Sequence, residues 1–113
     1  MNIEPTEQVG TRLLFENDRV RVWDLSLAPG ESLEKHIHRH DFLFIVASGG
    51  SLRHVDPDDP ENDQAVRYED NQVVFLEAQG GTVHNRLINM GQNHYRNYVI
   101  ELKEDNSSDA EAL

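Results

Sequence analysis

The chain has 113 residues, 37% of them hydrophobic, no cysteine and a net charge of −11, which suits one domain with a core and is too short for two. This composition excludes disulfides, thiolate nucleophiles and cysteine-zinc sites, and the charge sets the chain against nucleic acid, whose phosphates select basic surfaces. No apolar run approaches the roughly 20 residues of a spanning helix, and the opening MNIEPTEQVG lacks the basic-then-apolar order of a secretory signal, so no membrane association and a cytoplasmic location are expected.

Residues 1–10, with Pro5, Gly10 and no hydrophobic period, read as an N-terminal arm, expected to end in a strand that pairs with a partner subunit. Residues 11–16 and 19–28 read as strands around a turn at Glu16-Asn17-Asp18; the second sets Arg21, Trp23, Leu25 and Leu27 against Val20, Val22, Asp24 and Ser26. Pro29-Gly30-Glu31 is a turn in which Pro presets the first central position and Gly supplies φ > 0. A histidine-bearing strand over 33–39 follows, then a run over 42–47 of Phe, Leu, Ile and Val that is expected to be buried on both faces.

Ser48-Gly49-Gly50-Ser51 returns the chain into a strand over 52–55. Residues 56–64 hold five acids and no base, and with Pro57 and Pro60 they read as an exposed loop, too polar to pack. Strands over 65–69, 73–78, 82–89 and 94–103 complete the pattern. The last ten residues hold four more acids and are expected to be a disordered tail. Outside these two stretches 12 acids face 10 bases, so the body of the domain is nearly balanced. Strands recurring about every ten residues without a helix predict an all-β sandwich or antiparallel barrel over 11–103. Trp23, Leu25, Phe44, Val46, Phe75 and Ile100 are expected on its packed faces.

The chemistry sits in the histidines. On one strand His36, His38 and His40 share a face, with neighbours roughly 6.5–7 Å apart at the backbone, close enough for two imidazoles to meet on one metal. All three would span about 13 Å, so two form a ligand pair and the third needs another role. Another histidine closes Gly81-Thr82-Val83-His84, and Asn89 follows.

These two segments resemble the motifs of a small single-domain cupin. Gly30, five residues, then His36-x-His38, with Gly49 or Gly50 at the end, matches the first; Gly81-x-x-His84 with Asn89, one place late, matches the second. The likeness covers residues 20–102. The stretches LRHVDPD, VHNRLIN and RNYVIELK add a narrower similarity to cupins linked to β-alanine degradation.

The resemblance implies a jelly-roll barrel, a homodimer, and a divalent ion (Fe, Zn, Ni or Mn) on His36, His38 and His84. The family's glutamate ligand would fall where this chain has Phe42 and Leu43, and the proline of the second motif is missing, with Glu77 or Gln79 nearby. His40 or Asp41 is the expected replacement ligand. Arg86, two residues beyond His84, shares its face on an unbroken strand and is the candidate partner of a substrate carboxylate; Arg96 and Tyr98 are further pocket candidates. His54 and His94 are expected to be ordinary strand or surface residues. The implied function is a metal-dependent enzyme of oxygenase or isomerase type acting on a small carboxylate in amino-acid or β-alanine catabolism. The alternative is a non-catalytic small-molecule-binding cupin with a degenerate metal site.

Overall fold

The structure is a computed structural model that describes residues 6–56, 58–78 and 81–103. The predicted tail over 104–113 lies outside the described residues, as do Gln79 and the first five residues of the arm. The described chain is all-β: β1 (Arg12–Glu16), β2 (Val20–Leu27), β3 (Ser32–Leu33), β4 (His36–His38), β5 (Asp41–Ser48), β6 (Gly50–Asp56), β7 (Asp59–Tyr68), β8 (Val73–Leu76), β9 (Thr82–His84), β10 (Arg86–Asn89) and β11 (Tyr95–Leu102). Among the described residues no helix is long and apolar enough to cross a membrane.

Three sheets build the barrel, in the orders β1-β2-β11-β5-β8, β3-β10-β6-β7 and β4-β9. The pairings are antiparallel, so each sheet turns one face to the core and the other away. Strict alternation follows on β11, where Tyr95, Asn97, Val99 and Glu101 are buried and their neighbours are half-buried. β5 obeys the same rule: Phe42, Phe44 and Val46 face the core, while Ile45 is 39% exposed. The expected two-sided burial of this strand is therefore corrected, because only one side of its sheet has a core to meet. Phe75 is corrected likewise: it is 54% exposed on the outer face, and Ile100 points the same way, whereas Trp23, Leu25, Phe44 and Val46 pack inside.

The turn chemistry appears as predicted at Gly30, which has φ of 86° and sits in a turn closed by Glu31 N donating to Ala28 O. Two strands expected to be continuous are broken. The chain leaves β3 at Glu34-Lys35 to enter β4, and leaves β9 at Asn85 to enter β10, so each passes from the small sheet to the four-stranded one or back.

The acidic stretch is a strand, not a loop. Residues 59–68 pair with β6 along a ladder that includes Val55↔Asp63 and His54↔Gln64. Being at the sheet edge, β7 leaves its acids in water and pairs only the β6-facing half of its backbone groups, and charge on an edge strand opposes further strand addition. The arm also differs from expectation: Thr6 bridges to His36 within the same chain, Ile37 N donates to Thr6 O at 2.7 Å, and Val9 is 1% exposed in the core.

Beside the core lies a charged cluster. Glu101, fully buried, accepts from Arg21 Nε at 2.6 Å and Nη2 at 3.1 Å and from Trp23 Nε1 at 2.7 Å. Charge-assisted bonds of this kind hold β11 to β2 where the sheet approaches the histidines.

Candidate metal centre

The two-stranded sheet brings three histidines together. β4 carries His36 and His38 on its inward face, and the β4–β9 register sets His84 directly opposite His36. One nitrogen from each ring lies within 4.8 Å of the others. Ring centroids are 5.0 Å apart for His36 and His38, 5.4 Å for His36 and His84, and 4.6 Å for His38 and His84.

The donor set fits a divalent ion. His36 Nδ1 lies 2.9 Å from the Glu34 carbonyl, which places the proton on Nδ1 and leaves the Nε2 lone pair for a metal. His38 Nδ1 is buried without a hydrogen-bond partner, a cost that an apolar core residue would avoid and that a ligand ring tolerates. Burial, reinforced by His84 and His36, draws the His38 pKa down to about 2. Burial with His36 and His54 nearby draws His84 to about 4, and burial lowers His36 against the raising pull of the Glu34 carbonyl. All three imidazoles are therefore neutral near pH 7, the form that binds metal.

The position where a fourth, acidic ligand was sought is filled by an aromatic ring. Phe42 stacks on His38 with centroids 3.7 Å apart and planes 10° from parallel. Asp41 accepts a hydrogen bond from Ala78 N at 2.8 Å, and His40 lies in the bend after β4; neither joins the three-histidine group.

A cavity of about 280 Å³ opens beside the imidazoles. The structure brings none of Arg86, Arg96 and Tyr98 to its lining. The break at Asn85 turns Arg86 outward, where its Nε pairs with Glu34 at 3.1 Å and its Nη2 reaches Ser32 Oγ at 3.3 Å. Arg96 forms a two-bonded pair with Asp24, with both contacts at 3.0 Å, and lies over Tyr98; these two occupy the outward face of β11. The strand's inward set, Tyr95, Asn97 and Val99, lines the cavity instead.

Asn89, part of the second motif, is structural: its amide donates to Leu27 O and Asn93 O and accepts from Gly91 N, pinning the turn after β10. His94 hydrogen-bonds Ser26 away from the cavity, as an ordinary surface residue would. His54 is the histidine the sequence reading passed over. It lines the cavity, and burial lowers its pKa. Its place on the inner face of β6, level with Leu87 of β10, was available only as an alternation whose inward phase the sequence leaves open.

No protein-family model and no curated protein matches the sequence. Solved structures match in fold. A cupin domain from Bordetella pertussis Tohama I superposes with a TM-score of 0.71 at 20% identity, covering 91% of this chain and 100% of its own. An RmlC-like cupin family protein with a double-stranded β-helix fold, from Methanocaldococcus jannaschii, gives 0.62 at 16% identity over 88% of this chain and 87% of its own. The polyketide cyclase RemF from Streptomyces resistomycificus gives 0.56 at 20% identity over 78% of this chain and 57% of its own. The narrower similarity to cupins of β-alanine degradation finds no support among the matched structures. Strand order, sheet packing and these superpositions agree that the chain has the fold of a small single-domain cupin, a double-stranded β-helix.

Proposed function

We propose that this protein is a metal-dependent cupin in which His36, His38 and His84 hold a divalent ion and the adjoining cavity admits a small organic acid. The observation that carries this reading is the meeting of three neutral, buried or half-buried imidazoles beside a cavity of ligand size. A divalent ion held by these three histidines would supply Lewis-acid polarisation of a bound oxygen.

The chain's own residues do the rest. The Glu34 carbonyl orients His36, and Phe42 fixes the plane of His38. Leu25, Phe44, Leu87 and Val99 line the cavity with apolar surface, which keeps the imidazoles neutral and strengthens charge interactions with a ligand. RemF shows that this fold can carry a ring-closing enzyme, and a reaction of enzyme type at the three-histidine set is part of the proposal. Metal analysis of protein purified without a histidine tag tests it: one divalent ion per chain is expected, and its absence after incubation with Fe, Zn, Ni and Mn favours the second reading. That reading, a non-catalytic ligand-binding cupin, is supported by Phe42 and Asp41, which leave no acidic side chain to complete the set.

A homodimer in the cytoplasm belongs to the same proposal. The dimer is supported by the outer face of the five-stranded sheet, where Val22, Ile100, Leu43 and Phe75 align in one cross-strand row and Tyr98, Ile45 and Val73 in the next. Val73 is 60% exposed, and a continuous apolar face of this kind marks an interaction surface. A second copy presenting the same face is a self-complementary partner.

A further inference from the structure

The four-stranded sheet gives the cavity a second polar edge. His54 and Gln64 are direct cross-strand partners on β6 and β7, and Leu87 stands beside His54 on β10. All three line the cavity. Neither the His54 ring nor the Gln64 side-chain amide has a hydrogen-bond partner among the described residues. Two polar side chains held in register on a rigid sheet, free to bond and facing a cavity, are placed to read a ligand.

The charge of the lining narrows what that ligand is. Its remaining polar members are Tyr68, Asn85, Tyr95 and Asn97, and no Asp, Glu, Lys or Arg occurs among the described residues that line it. A divalent ion on three neutral imidazoles keeps its full charge and attracts an anionic chelating group. A second charge on the same ligand, of either sign, meets no counter-charge in the lining, and beside the half-buried His54 and the buried Leu87 it gives up part of its hydration unpaired, which is costly. An ammonium group lacks a carboxylate, and a second carboxylate lacks a base. An uncharged hydroxyl or carbonyl, by contrast, can bond to His54 and to the Gln64 amide.

We infer that the cavity selects small oxygen chelators with a single negative charge at the histidine set and an uncharged hydroxyl or carbonyl recognised by His54 and Gln64. The inference rests on the metal-binding reading and narrows it to a substrate class that excludes amino-acid zwitterions and dicarboxylates.

A series of four-carbon α-hydroxy acids tests this by calorimetry on metal-loaded protein: α-hydroxybutyrate, α,γ-dihydroxybutyrate, malate and γ-amino-α-hydroxybutyrate. All four carry the same α-hydroxycarboxylate chelate and differ in the group at the far carbon. The dihydroxy acid is expected to bind at least about tenfold tighter than malate or the amino acid, the equivalent of about 1.4 kcal/mol. His54→Leu and Gln64→Leu are each expected to reduce its advantage over α-hydroxybutyrate. Gln64 is exposed at the sheet edge, so the second variant leaves the core intact. Equal or tighter binding of malate or the amino compound overturns the inference, as does a hydroxyl preference that survives both substitutions. Metal uptake with no discrimination defeats this inference alone, whereas failure to take up metal defeats it together with the metal-binding reading.

Discussion

His36 and His84 are direct partners across the β4–β9 ladder, with ring centroids 5.4 Å apart. Cross-strand Cα atoms in an antiparallel pair sit about 4.5–5.5 Å apart, so backbone register alone places these rings within reach of one ion. A slip of one residue would turn His84 to the other face.

His84→Ala is therefore expected to lower metal affinity by more than about 100-fold, since even changes behind the ligands cost about 10–100-fold. Two imidazoles on one strand are a poor chelate without the third from β9. Competition against a colorimetric chelator measures the loss, and an unchanged affinity would remove His84 from the site.

Acidity should destabilise the metal-free protein. The folded-state pKa values of His38 and His84 are pulled to about 2 and about 4, below the unfolded value of about 6.5. Between roughly pH 6.5 and pH 4 the unfolded chain binds more protons than the folded one, so stability falls as pH drops through that window. Thermal melts at pH 7 and pH 5 should show the lower midpoint at pH 5. His38→Phe, which removes one of these titrating groups, should make the dependence shallower; an equal slope in that variant would contradict the assignment.

Glu101→Gln is expected to cost roughly 3–5 kcal/mol, the usual penalty for breaking a buried ion pair by changing one partner. The fully buried carboxylate accepts from both Arg21 and Trp23 on one oxygen and from Arg21 Nη2 on the other; an amide keeps the first acceptor but turns its NH2 on Arg21 Nη2 and leaves the guanidinium without its counter-charge. Urea unfolding measures the loss, and a change under about 1 kcal/mol would show the network to be no stronger than an exposed pair.

Ile45→Asp places a charge in the centre of the apolar rows on the five-stranded sheet, where Ile45 lies opposite Tyr98 and Val73. Light scattering is expected to show a dimer for the parent and a mass near 13.0 kDa for the variant. A parent protein already at the monomer mass at micromolar concentration would refute the proposed surface.

Local chemistry was legible in the sequence. Pro29-Gly30 announces its turn because few residues accept that backbone, the strand rhythm announces an all-β barrel, and the spacing of His36, His38 and His84 with Gly30 and Gly81 marks the three-histidine group and the cupin likeness. What the sequence by itself determined was thus set by neighbours along the chain: turns, strand periodicity and which side chains alternate together. It placed Trp23, Leu25, Phe44 and Val46 inside but could not decide on every strand which alternate set faces inward. On β11 hydropathy favours Ile100 and Leu102 over Asn97 and Glu101, yet the latter are buried: Arg21 and Trp23 on β2 satisfy Glu101, and the Asn97 amide donates to Tyr95 Oη while its Oδ1 stays without a partner among the described residues. Arg96 and Tyr98 were drawn to the pocket by the same ambiguity, Arg86 by the assumption of an unbroken strand, and His54 was passed over because of the first. Only the tertiary structure decided these, since the inward phase of a strand, its breaks at Asn85 and Glu34-Lys35, and the pairing of acidic β7 with β6 depend on partners distant in sequence.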